Sequence, residues 1–212
     1  MNFYQHTVDY VVLNILGKVT WEGLFATFHN GKKFLLSKEE WKQIEDILEK
    51  NSCIILTRRN SHLSTYGTSL AHYIKTGSWG YYGHALVNIE KDDEPFKMIE
   101  ATGVGTHWTS FDAVFNCDSA CLLIPKGLTL QDWKEMFDNA VTILGVPYDS
   151  LFDFANASKL SCIEVVYLLL QKAAPESPSF IALDAMLKKY GCLTPEMLYD
   201  TKAFDIVLEI RH

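Results

Sequence analysis

The stretch Tyr148–Leu170, YDSLFDFANASKLSCIEVVYLLL, constrains this chain more than any other. A loop of small polar residues delivers Cys162 to the first turn of an apolar segment, VVYLLL, long enough to bury a full helix against a core. Ser161 is the expected N-cap, since a serine hydroxyl accepts from the free N–H groups of a helix start, and Glu164 falls in the first turn. Those free N–H groups and the helix dipole favour negative charge, so a thiolate at Cys162 and an oxyanion formed beside it are both stabilised there. A free thiol titrates near 8.5, and such a position brings it into the nucleophilic range. Cysteine is also among the most buried residue types, so a purely structural Cys162 fits the stretch equally well.

The rest of the chain supplies the core that this helix needs. With 212 residues, 48% of them hydrophobic and 21% charged, it has the material for one domain spanning 1–212. A net charge of −7, with Arg58-Arg59 as the nearest thing to a basic patch, argues against a nucleic-acid partner. The five cysteines are odd in number and form no CxxC pair, which suits free thiols in a reducing compartment. Cys117 and Cys121 lack histidine partners at zinc spacing, so neither a metal nor a cofactor is expected. The N-terminal MNFYQHTVDYVVLNILGK has no signal-peptide pattern, and VVLNIL is far short of the roughly 18 apolar residues of a membrane span. The expectation is a cytoplasmic protein without stable membrane insertion, whose oligomeric state is open.

Taken in order, YVVLNIL and GLFATFH read as strands around an Asn-Gly turn. A capped helix follows from Ser37, with apolar positions 41, 44, 47 and 48. CIILTRR (53–59) is a strand, and LSTYGTSLAHYIKTG a helix with Leu70 and Ile74 inward. Strands at 84–90 and 96–103 flank the charged KDDEP turn, and THWTSFDAVF wanders between strand and loop. SACLLIP is a short buried strand. The helix at 128–145 turns Leu130, Trp133, Phe137, Val141 and Leu144 to the core and ends at Gly145. After the Cys162 helix come a break at 175–178, a further helix and a closing strand, FDIVLEI. The class is α+β, an antiparallel sheet packed against helices with a nucleophile at a helix N-terminus.

A thiol nucleophile needs a base, and the base needs a polar group to orient it. Of the seven histidines, His6 and His212 are terminal, His29 sits at a turn, and His62 and His72 fall in a polar, solvated stretch. His107 follows a glycine-rich turn and stays open. His84 opens an alternating strand, and the next strand places Glu100 on a matching face, where opposed side chains come within about 5 Å. A satisfied strand-end histidine and a solvent-facing carboxylate are the bland alternatives.

The segments WGYYGHALVNIE, MIEATGVG and YDSLFDF…LSCIEVVYLLL, in that order, resemble the circularly permuted branch of the NlpC-type papain-like superfamily, in its YiiX-like group. Lecithin:retinol acyltransferase is a more distant relative. The resemblance covers residues 53–170 and leaves 1–50 and 175–212 as unmatched extensions. It implies a permuted papain-like fold and a thiol hydrolase, with Cys162 as nucleophile, His84 as base and Glu100 as the orienting residue. Tyr148-Asp149 then match the dipeptide that leads into the cysteine loop, and Tyr148 is the suggested second oxyanion donor. Trp79, Tyr82 and Trp108, with Tyr148, are the side chains expected to line the substrate cleft. The expected substrate is peptide-like or a small acyl compound, cleaved at an amide as in peptide or cell-wall-peptide hydrolysis. A lipid acyltransferase or esterase with the same site, and a non-catalytic binding module, are the competing functions.

Overall fold

The computed structural model describes residues 35–60, 62–91, 94–150, 152–156 and 158–212, with the backbone alone at 63, 90, 91 and 94–96. The strands expected before residue 35 and the centre of the KDDEP turn lie outside the described residues. The described elements run α1 (Lys38–Leu48), β1 (Cys53–Arg58), α2 (Leu63–Thr76), β2 (His84–Lys91), β3 (Glu94–Thr102), β4 (Gly105–Thr109), α3 (Phe111–Phe115), β5 (Ser119–Pro125), α4 (Leu130–Thr142), α5 (Cys162–Ala173), α6 (Pro178–Tyr190), α7 (Pro195–Asp200) and β6 (Phe204–Ile210). The six strands form one antiparallel sheet in the order β4-β3-β2-β1-β5-β6.

Both faces of the central strands are covered, which is why CIIL and CLL read as unbroken apolar runs. On one face Ile54, Leu56, Val87, Ile99 and Leu123 pack under α4, α5, α6 and α7. On the other, Cys53, Ile55, Leu86, Met98 and Leu122 pack against Ile44 and Leu48 of α1 and Phe115 of α3. Helix α5 is the most deeply set. Ile163, Val165, Val166, Leu169 and Leu170 have no solvent exposure, and burying a side chain of this kind stabilises by about 1.5–3 kcal/mol. That burial fixes the helix axis, and with it the place of Cys162. Among the described residues no helix is long and apolar enough to cross a membrane.

Two helices differ from the sequence reading in which face they bury. In α2, Ile74 is 39% exposed and Leu70 half-buried, while Thr65, Thr68, Ser69 and His72 are buried. The inward stripe is polar because each hydroxyl finds a backbone acceptor. Thr65 donates to the Arg59 carbonyl, Thr68 to Ser64 and Ser69 to Thr65, each at 2.9 Å. His72, expected in solvent, is 1% exposed and meets Thr194 Oγ1 at 2.7 Å through Nδ1. Helix α4 is rotated from its expected face. Leu130, Val141 and Leu144 are exposed, and Met136, Ala140 and Ile143 are buried, with Trp133 and Phe137 half-buried beside them. Ile143, not Gly145, is its C-cap.

Two connections bring the polar segments to the sheet. Gly105, with φ at +96°, opens β4, and a side chain there would meet the Val146 carbonyl oxygen at 2.7 Å. Its absence lets Thr106 donate its N–H to Val146 and accept from Gly145, which ties the segment before Tyr148 to the sheet edge. The approach to β2 hangs on buried Glu196 of α7, whose Oε2 accepts from the N–H groups of Tyr81 (2.7 Å) and Tyr82 (2.8 Å). Replacing Glu196 by Ala leaves two donors without a partner, and the expected loss is about 2–5 kcal/mol in urea unfolding. A change within about 0.5 kcal/mol would show that the carboxylate does not hold this segment.

Candidate active site

Strand β2 pairs with β1 as far as His84↔Thr57, and β3 pairs with β4 as far as Thr102↔Gly105. The ladder between β2 and β3, however, runs only from Lys91↔Glu94 to Val87↔Ile99. Beyond that pair the two strands part. By strand parity His84 and Glu100 belong to the face that carries Leu86 and Met98, whereas α5 packs on the opposite face. The gap lets them meet, and a cavity of about 520 Å³ opens there, with Cys162, His84, Glu100 and Tyr148 in its wall.

The first turn of α5 positions the thiol. Ser161 is the N-cap, in extended backbone, and its N–H donates to Glu164 Oε2 at 2.8 Å. The loop leading to it is pinched at its neck, where Tyr148 bridges Leu160 and the Leu160 N–H donates to the Pro147 carbonyl at 2.9 Å. Within the loop, Phe152 lines the cavity at φ 53°, a left-handed backbone uncommon for a bulky residue. Burial holds the Glu164 carboxyl up at about 7, and nearby Asp149 adds to the effect against the lowering bonds from Ser161.

His84 Nε2 donates to Glu100 Oε2 at 2.7 Å. With Nε2 engaged by Glu100, Nδ1 is the ring nitrogen left for the Cys162 thiol, which lies in the wall of the same cavity. Burial alone would depress the imidazole, but the negative charge at Cys162 and the Glu100 carboxylate outweigh it and hold His84 up at about 10. Burial would raise Glu100, and its bond to His84, with Thr109 and His107 adding, brings it down to about 2 instead. These directions describe an imidazolium and a carboxylate in a row with Cys162. Tyr148 is held well above the usual phenol range by burial and then by charges at Cys162, Glu164 and Asp149, so it remains a donor. The other buried thiols differ: burial raises Cys53 and pushes Cys117 and Cys121 up to about 12.

Of the expected site residues, Cys162, His84, Glu100 and Tyr148 therefore share one cavity, and three expected cleft aromatics do not. Tyr82 is fully buried in the core, with its ring against Tyr199 of α7 and its hydroxyl donating to Glu209 of β6. Trp79 is 65% exposed and stacked on Tyr73. Trp108 stacks on Phe137 of α4, since β4 lies at the sheet edge beneath that helix. His107, left open by the sequence reading, stands directly opposite Glu100 in the register, with Nε2 at 3.4 Å from Oε1 and Nδ1 donating to the Gly105 carbonyl at 2.9 Å. Thr57, Arg59 and His62 line the cavity too. The alternation from Thr57 to Arg59 is the signal that would have found two of them.

No protein-family model matches the sequence, and no curated protein does. In structure the chain is similar to YiiX of Escherichia coli O157:H7, described as a metalloprotein with a DUF1105 domain. The TM-score is 0.57 at 18% identity, covering 78% of this chain and 100% of that one. That share is larger than residues 53–170 alone supply. At this identity the likeness is one of fold: a mixed α and β chain with a YiiX-like arrangement. YiiX is described as a metalloprotein, but among the described residues of this chain no three His, Cys, Asp or Glu side chains are grouped to hold an ion.

The ion pair has a pH signature. His84 is raised from 6.5 to about 10, so the stability it contributes is complete below about pH 6.5 and is lost as pH rises through 10. Glu100 is lowered from 4.5 to about 2, so its contribution is complete above 4.5 and is lost as pH falls through 2. NMR titration of the His84 ring should show protonation persisting well above pH 7, with the midpoint moving down in both Cys162→Ala and Glu100→Gln. A midpoint near 6.5 in all three proteins would contradict the row.

Proposed function

We propose that this chain is a thiol-dependent hydrolase of permuted papain-like type that cleaves an amide through a thioester on Cys162. The observation that carries the reading is the His84 ring, bonded to Glu100 at 2.7 Å and sharing one cavity wall with a thiol at a helix start. The Cys162 sulfur attacks the acyl carbon, and the carbonyl electron pair moves onto oxygen. Collapse breaks the C–N bond, and the amine leaves with the proton from the His84 imidazolium. His84 then takes a proton from water, whose oxygen displaces the thiol and releases the carboxylic acid. Glu100 keeps the ring oriented and balances its charge throughout.

The oxyanion is met by the Cys162 N–H at the start of α5 and by the Tyr148 hydroxyl, both beside the sulfur. The cavity wall combines hydroxyl positions such as Thr57, Thr65 and Thr68 with apolar ones such as Ala113, Val114 and Phe152, which suits a peptide-like substrate with polar and apolar groups to seat.

An acyl-type electrophilic probe should form one covalent adduct, located at Cys162 by peptide mass mapping. Cys162→Ala and His84→Ala should each lower amide hydrolysis at least about 10³-fold. Equal labelling of Cys162→Ala and wild type would end the proposal. Tyr148→Phe should lower kcat by about 10²-fold with KM little changed, the pattern of a donor that engages only in the transition state. An unchanged kcat would remove Tyr148 from the oxyanion site.

A further inference from the structure

Resting on the hydrolase reading, we infer that the cleft carries an anion subsite centred on Arg59, and that the substrate presents a carboxylate to it. Arg59 lies in the wall of the same cavity as Cys162 and His84. The sheet brings it near the reacting centre: Thr57 is the register partner of His84, and Arg59 follows two residues on, just past the end of β1.

The guanidinium is held in place but not neutralised. One nitrogen, Nη2, donates to the carbonyl of Ala113 and, at 3.5 Å, to that of Val114. Nε and Nη1 have no partner among the described residues, and no described carboxylate forms an ion pair with Arg59. The other two arginines differ: Arg211 is paired with Glu209, and Arg58 donates to Asn60 and the Tyr81 carbonyl and packs on the Tyr81 ring. A fixed fork with unused donors is the geometry that binds a carboxylate through two N–H groups. The adjoining wall adds to the same field. Helix α2 begins at the cavity with no acidic residue in its first turn and no side-chain cap from His62, and Ser64 and Thr65 line the cavity there.

The test uses dipeptidyl acyloxymethyl ketones that differ only in a glutamate, glutamine or lysine side chain. With wild type, the glutamate probe should label Cys162 at least about tenfold faster than the glutamine probe, and the lysine probe slowest. In Arg59→Gln the glutamate-to-glutamine ratio should fall to about one; a charge-retaining Arg59→Lys should keep part of the preference. Thermal unfolding of the variants separates this from a loss of the Ala113 contact. In parallel, calorimetry with the Cys162→Ala chain and the matching glutamyl and glutaminyl peptides should show tighter glutamyl binding that Arg59→Gln abolishes. Labelling of Cys162 at equal rates by all three probes, or a preference that survives in Arg59→Gln, overturns the subsite and leaves the hydrolase intact. Arg59-dependent glutamyl binding without any labelling of Cys162 would overturn the hydrolase and keep the subsite.

Discussion

The structure depends on the point at which β2 and β3 stop pairing. Above Val87↔Ile99 they are neighbouring strands in a sheet covered on both faces, and below it they part. A continuous ladder would set Glu100 opposite Leu86, with the sheet standing between His84 and the helix that carries Cys162. The gap removes that barrier. It places an imidazole from one face, a carboxylate from the next strand and a thiol from the opposite face around a single cavity. Both parting ends stay anchored, since β1 holds β2 to its first residue and β4 holds β3 to its last. The opening is therefore rigid on both sides.

Electrostatics in this gap are organised by Glu100. It receives His84 on one oxygen and faces His107 across the other, so a half-buried carboxylate has an imidazole on both sides. That arrangement lets an acidic chain keep a charged carboxylate away from solvent. On the other side of the sulfur, Asp149 and Glu164 lie beneath the helix start, and their mutual repulsion with burial lifts Glu164 to about 7. Cys162 is thus bordered by a helix N-terminus and an imidazolium in front and by carboxyl groups behind. Their opposing influences make the bond from Ser161 to Glu164 a determinant of where Cys162 sits.

Support for the cleft comes from a polar layer that hydrophobic patterning does not reveal. Helix α2 turns threonine, serine and histidine inward, and α7 answers with Thr194 and Glu196. Each polar group in this layer has a stated partner, so burial carries no unsatisfied donor cost. The close approach of Gly83 to α2 belongs to the same layer: a side chain there would lie 2.8 Å from the Thr65 Cα. The first residue of β2 is consequently set by backbone contact, which fixes His84 more firmly than a side-chain contact would.

Local chemistry made much of this legible in the chain alone. Ser161, Cys162 and Glu164 spell a helix start, CIIL and SACLLIP spell doubly covered strands, and the parity of 84–90 against 96–103 already sets His84 and Glu100 on one face. These readings depend on neighbours within a few residues, where propensity, capping and alternation act. The buried faces of α2 and α4 were misread because amphipathic spacing locates a stripe only relative to its surroundings. Tertiary packing placed hydroxyls inward in one helix and turned Leu130 and Val141 outward in the other. The aromatic residues 79, 82 and 108 went to the surface, the core and a helix contact for the same reason. Sequence by itself determined the kinds of groups present and the elements that carry them. Only the tertiary structure decided which of them share a cavity, because the parting of β2 from β3, the Gly105–Val146 contact and the Glu196 anchor all join residues at least 40 positions apart or end a ladder without a local signal.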